Sequence, residues 1–333
     1  MRYATVLLAF PIVAAQAATV PSRFEADRVF ATPTTAKGEP LRLYTDTGGG
    51  MNLLCRDAAQ RLDLPLEALP PDEEMEAELG GNLARTTLPP FAPARGIPAN
   101  ANGDAHFLVH DCKGKSAASL GEGLLSQHWF AGRTWTWDYP ARRLALETGN
   151  WTPPRSARAV ALGFKPAAGN APAFHMPRIT VRIDGKDIDL LLDTGATGSP
   201  TADALAAQPT PAPVNGARAT SFVTKSTLDA WHAAHPDWPL VEKADDLFAP
   251  RFVARAIRVP EVDIAGWKTG PVWFTERPDR AFREFMSRMT DRPVEGALGG
   301  NALASFRMTL DYAHTTAHFE CLRGCVPTPP PVP

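Results

Sequence analysis

Two stretches of this chain alternate apolar and polar residues and then stop on an aspartate. In "RITVRIDGKDIDLLLD", Ile179, Val181 and Ile183 share one side of a two-residue period, Asp184-Gly185 supplies a turn, and Ile188, Leu190 and Leu192 return. This pattern predicts a β-hairpin whose return strand delivers Asp193. A looser version, "RVFATPTTAKGEPLRLYTD", turns near Lys37-Gly38, returns through Leu41 and Leu43 and ends at Asp46. Helical spacing is confined to the short stretches "NLLCRDAAQRL", "TADALAAQ", "LDAWHAAH" and "RAFREFMSRM". The remainder is proline-punctuated strand and loop, which predicts an all-β fold with a few short helices.

The two hairpins belong to a longer internal repeat. "GLLSQHWFAGRTWTWDY" from Gly123 aligns without a gap on "GALGGNALASFRMTLDY" from Gly296. Leu125 matches Leu298, Ala131 matches Ala304, Thr136 matches Thr309, Asp138 matches Asp311 and Tyr139 matches Tyr312. Upstream of the first copy stands Asp46-Thr47-Gly48, and upstream of the second Asp193-Thr194-Gly195. A lone Asp-Thr-Gly carries little information, but two of them, each ending a strand and each followed by the same glycine segment, mark a doubled scaffold. The Asp-to-Gly spacing is 77 residues in the first half and 103 in the second, so the second half carries an insertion, expected around Thr227 to Asp291.

The ends of the chain set the boundaries. Arg2, the apolar run "ATVLLAFPIVAA" and the small-residue site Ala15-Gln16-Ala17 form a signal-peptide pattern over residues 1–17. That run is interrupted by Pro11 and too short to span a bilayer comfortably. Residues 18–150 then make an N-terminal lobe, 151–325 a C-terminal lobe begun by a proline-rich linker, and 326–333 a disordered proline-rich tail. Four cysteines suit an oxidising compartment, periplasmic or extracellular, and of three possible connectivities Cys55–Cys112 with Cys321–Cys325 is preferred. A net charge of −2 and a pI near 6.5 give no reason to expect nucleic acid or an anionic membrane as a partner.

Other clusters carry less. His314 and His318 beside Cys321 and Cys325 do not match zinc spacing; neither His106 with His110 nor His232 with His235 brackets an acidic helper, so those four histidines are expected on surface or loop, and no metal or other cofactor is expected. Asp138 and Asp311 recur within strand-like stretches and lack a glycine loop, which gives them a structural role; Trp129, Trp135 and Trp137 are expected in the core. The chain has neither a Gly-x-Ser-x-Gly elbow nor a phosphate-binding Gly-Lys loop.

On "YTDTGGG", "LLLDTGAT", "GLLS" and "GALGG" the sequence resembles the aspartic peptidase superfamily, with a bilobal pepsin-like arrangement of two compact retropepsin-like lobes. The resemblance implies a two-lobed acid-protease-like double β-barrel in which Asp46 and Asp193 meet at the seam and activate a water against a peptide bond. Thr47 and Thr194 would fix the two loops, and Gly48 and Gly195 would let backbone approach each carboxylate. The implied activity is that of a monomeric, exported aspartic endopeptidase acting on extended peptide or unfolded protein. Two alternatives remain open: a non-catalytic peptide-binding or interaction protein on a degenerate scaffold, and a homodimer that pairs two copies of Asp193.

Departures from the family pattern sharpen the expectations. Ser126 stands where the second half has Gly299, and polar Thr45 precedes Asp46 where an apolar residue is usual. No flap tyrosine is present between Tyr44 and Tyr139, which leaves the segment near "ELGGNLART" to close over substrate. Gly49 and Ala196 lack the hydroxyl that would stabilise each carboxylate anion, so the pair is expected to work at mildly acidic to near-neutral pH.

Overall fold

In the computed structural model, residues 17–70, 82–103, 105–167 and 173–329 are described. Residues 1–16 of the expected signal peptide, and residues 71–81 with the start of the expected flap, lie outside them.

The hairpin read from the sequence forms between Arg178–Ile183 and Lys186–Leu192. Asp184 and Gly185 both take positive φ, 51° and 71°, as a two-residue hairpin turn of matching twist requires. Ile179, Val181, Ile183, Leu190 and Leu192 are all buried. In the first half Arg28–Ala31 pairs with Leu43–Thr45, and Gly38 N–H closes the turn onto the Thr35 carbonyl.

Strands dominate and build three large sheets. One of eight strands lies wholly within residues 22–125, and one of ten spans Arg178 to Pro327. The third has six strands, three from each half, and joins the two lobes. At its centre Thr134–Asp138 runs antiparallel to Phe306–Asp311 with Thr136 directly opposite Thr309. These are the residues the repeat had matched to one another, and their hydroxyls hydrogen-bond at 2.8 Å. The doubling seen in sequence is therefore an approximate two-fold axis passing through this pair. Asp138 binds Arg307, and Asp311 binds Thr134 and His314, so both recurring aspartates hold the shared sheet. Trp129, Trp135 and Trp137 are all buried, Trp135 and Trp137 against Phe130 and Trp129 against Phe107. Cys55 pairs with Cys112 and Cys321 with Cys325.

Strand register relocates the insertion. Leu53 pairs with Leu124 as Phe222 pairs with Ala297, which makes Leu53 and Phe222 equivalent. Asp46 precedes Leu53 by 7 residues and Asp193 precedes Phe222 by 29, so 22 of the 26 extra residues directly follow the second Asp-Thr-Gly. The stretch Thr227 to Asp291 replaces a first-half segment of nearly equal length, because Leu53 to Leu108 spans 55 residues and Phe222 to Thr275 spans 53. Apolar patterning could not place the insertion, since both regions hold short helices and strands.

Other expectations are corrected locally. Leu53–Cys55 is a strand and the helix is only Arg56–Arg61, because the three apolar residues are taken into the sheet. "RAFREFMSRM" forms a π-turn over Ala281–Phe285 and a 3₁₀ turn over Met286–Met289, with Phe282 alone deeply buried. Val326–Pro327, expected in the disordered tail, adds an edge strand against Trp267 and Lys268, where the missing proline N–H is harmless. His110 is buried on strand His106–His110 instead of lying on the surface.

Candidate active site

Each aspartate is presented by a strand anchored on both sides. Leu190, Leu191 and Leu192 are fully buried, and Leu191 and Leu192 pair with Ala297 and Leu298 of a parallel strand. The same strand continues the grip on Asp193, whose N–H donates to the Leu298 carbonyl at 2.9 Å. In the first half Leu43–Thr45 pairs with Gly123–Leu125, and Asp46 N–H donates to the Leu125 carbonyl, also at 2.9 Å. The chain leaves the sheet at the aspartate in both halves, so the carboxylate is set by a rigid stem and a short glycine loop.

The two loops then lock onto each other. Thr47 Oγ1 donates to the Leu192 carbonyl at 2.6 Å and accepts from Thr194 N–H at 3.0 Å. Thr194 Oγ1 donates to the Thr45 carbonyl at 3.0 Å and accepts from Thr47 N–H at 3.2 Å. Both threonines are fully buried, and a hydroxyl that donates and accepts at once is satisfied there. This reciprocal set of four bonds reproduces the two-fold of the shared sheet and draws the loops into contact.

Asp46 and Asp193 meet as a result. Their carboxyl groups share a hydrogen bond, and both residues remain half-buried, so solvent reaches them. Gly48 N–H donates to Asp46 Oδ1 at 3.0 Å and Gly195 N–H to Asp193 Oδ1 at 2.7 Å. The glycines are required by space. A Cβ on Gly195 would lie 2.1 Å from Asp46 Cγ, and one on Gly48 would lie 2.7 Å from Asp193 Cγ.

Burial raises Asp46 well above the ordinary carboxylate range, and the Asp193 charge and shared hydrogen bond raise it further. Asp193 is also raised by burial, opposed by the hydrogen bond from Asp46 and by backbone N–H groups of Gly195, Gly48 and Ala196. Among the groups that hold either anion there is no hydroxyl at position four of the motif, because Gly49 and Ala196 stand there. The pair therefore carries one shared proton into a pH range where isolated aspartates are ionised.

The sequence departures are accommodated. Thr45 is fully buried and its hydroxyl donates to the Val29 carbonyl at 3.0 Å. Ser126 Oγ and N–H both donate to Asn52 Oδ1, at 3.1 and 2.9 Å, and Ser126 Oγ caps the turn Gln127–Phe130. In the second half Ser221 Oγ accepts from Gly299 N–H at 3.0 Å, so Asn52 and Ser221 perform the same service behind the two loops. Asn52 went unnoticed because only the strand register makes it the counterpart of Ser221. Tyr44 also went unnoticed. It crosses from the first half to put its hydroxyl against Thr194 and Thr197.

The described residues contain no group of three or more His, Cys, Asp or Glu placed to hold a metal, and no helix long and apolar enough to cross a membrane. No protein-family model and no curated protein matches the chain. Among solved structures, the crystal structure of basic 7S globulin from soybean is similar, with a TM-score of 0.42 and 11% identity over 93% of this chain and 96% of that one.

Proposed function

We propose that the protein is an exported aspartic endopeptidase in which Asp46 and Asp193 activate a water between them. The observation that carries this is the reciprocal Thr47–Thr194 lock, which brings two carboxyls of one chain to a shared hydrogen bond. The ionised Asp193 takes a proton from a water seated on the pair as that water attacks a peptide carbonyl. Protonated Asp46 donates to the carbonyl oxygen, whose charge grows as the tetrahedral intermediate forms. As the intermediate collapses its C–N bond breaks, the proton taken up by Asp193 passes to the leaving amine, and Asp46 recovers its own from a hydroxyl of the intermediate as the new carboxyl carbonyl forms, so the pair again holds one proton. No metal or organic cofactor enters these steps.

The substrate class that goes with such a carboxyl pair is an extended peptide or unfolded protein, held by backbone hydrogen bonds. Because Asp193 finds its partner within the same chain, a monomer suffices. Two disulfides and the N-terminal leader pattern support export to the periplasm or medium, with the leader removed.

Digestion of an unfolded casein-type substrate by wild type, Asp46→Asn and Asp193→Asn across pH 3–8 tests the proposal. Cleavage by wild type alone, blocked by a pepstatin-type transition-state analogue, is expected. Equal behaviour of the three proteins sinks the enzymatic role and leaves the non-catalytic peptide-binding reading.

A further inference from the structure

We propose that Tyr44 is a positioning residue for Asp193, ordering from the first half the backbone N–H that holds the carboxylate of the second. The inference rests on the dyad described above. Strand register makes Tyr44 the counterpart of Leu191, so its hydroxyl has no equivalent across the two-fold. The side chain is fully buried two residues before Asp46, and its Oη lies 2.6 Å from Thr197 Oγ1 and 3.3 Å from the Thr194 carbonyl oxygen.

Tyr44 and buried Thr197 each carry one hydroxyl proton and must place it without help from water. Within this trio only one arrangement gives both protons an acceptor. Thr197 donates to Tyr44, and Tyr44 donates to the Thr194 carbonyl. That carbonyl and the Gly195 N–H belong to one peptide group, and the N–H donates to Asp193 Oδ1 at 2.7 Å. A hydrogen bond accepted at the carbonyl polarises the amide and strengthens the bond its N–H makes, so the chain runs from Thr197 through Tyr44 to the Asp193 anion.

The ring cannot swing out of this chain. It stacks on Phe30 at 4.9 Å between centroids, and the Arg42 guanidinium covers Phe30 at 3.7 Å, with Arg28 5.2 Å from the same ring. The titratable groups facing Tyr44 are Arg28, Asp46, Asp193 and, through the core, Tyr139, and those facing Asp193 are Asp46, Tyr44 and Tyr139. Burial keeps the phenol neutral throughout the range in which the pair titrates, so it stays a donor. Tyr44 thereby supplies, from the opposite lobe, part of the anion support that a side-chain hydroxyl at position 196 would give.

Tyr44→Phe removes the donor and keeps the ring. The pH dependence of cleavage and the carboxyl-carbon NMR titration of Asp193 are measured on wild type and variant, with thermal unfolding alongside. The acidic limb and the Asp193 titration are expected to rise by about 0.3–1 pH unit, with kcat at the optimum falling about 3–10-fold and KM held. Should Tyr44→Phe fail to fold, 3,5-difluorotyrosine at position 44 keeps the shape and donates more strongly, and the same two readouts are expected to move to lower pH. Coincidence of variant and wild type in both readouts overturns the inference. A shifted Asp193 titration in a protein that cleaves nothing would keep the coupling and remove the peptidase function, so the two failures are told apart.

Discussion

Gly195 of the second half faces the Asp46 carboxyl of the first so closely that a Cβ built on it would stand 2.1 Å from Asp46 Cγ. The contact is specific to the seam, since Gly195 also donates its N–H to Asp193. Gly195→Ala must therefore displace the Asp46 carboxyl and break the bond shared by the pair. A loss in kcat/KM of about 100-fold or more is expected, with folding retained. Gly48→Ala meets Asp193 Cγ at 2.7 Å and is expected to lose less. Steady-state kinetics of the two variants, read beside circular dichroism, checks both size and order.

Ala196 offers a cleaner probe of the missing hydroxyl than Gly49, because it already has a Cβ. Serine there places a donor in the loop that carries the Asp193 anion, and donation to the charged form lowers its pKa. The acidic limb of the pH–rate profile is expected to move down by about 0.5–1 unit in Ala196→Ser. An unchanged limb would show that backbone N–H groups alone set the ionisation of the pair.

The raised carboxyls also make a statement about stability. Both titrate higher in the folded protein than the ordinary value of 3.8, so folding is favoured most fully below that value. The favourable contribution is lost as pH rises through the folded pKa values. Asp46→Asn removes one member of the like-charged pair, and its Tm is expected to exceed wild type by about 2–4 °C at pH 7 and to match it near pH 3.5. Thermal unfolding at the two pH values reads this directly. A variant less stable than wild type at pH 7 would contradict the proton-sharing electrostatics.

Much of this arrangement was legible before the fold was known. Alternation around Asp184-Gly185 located the hairpin because strands buried on one face leave a two-residue signature. The gapless match from Gly123 to Tyr139 fixed which residues face each other, and Thr136 does face Thr309. What escaped depended on contacts between distant strands. The insertion was misplaced because its extra residues have no composition of their own, and only the pairing of Leu53 and Phe222 reveals where they enter. Val326 and Pro327 looked like solvated tail, yet a free sheet edge at Trp267 and Lys268 captures them. Tyr44 read as one more strand residue, since nothing local shows that its hydroxyl crosses to the other lobe.

The central claim is that Asp46 and Asp193 hold one proton between them, and carboxyl-carbon NMR titration of the two aspartates tests it most directly. Two coupled steps are expected in wild type, the upper one well above 3.8, collapsing to a single step for Asp193 in Asp46→Asn. Two independent titrations near 3.8, unaffected by neutralising the partner, would contradict it.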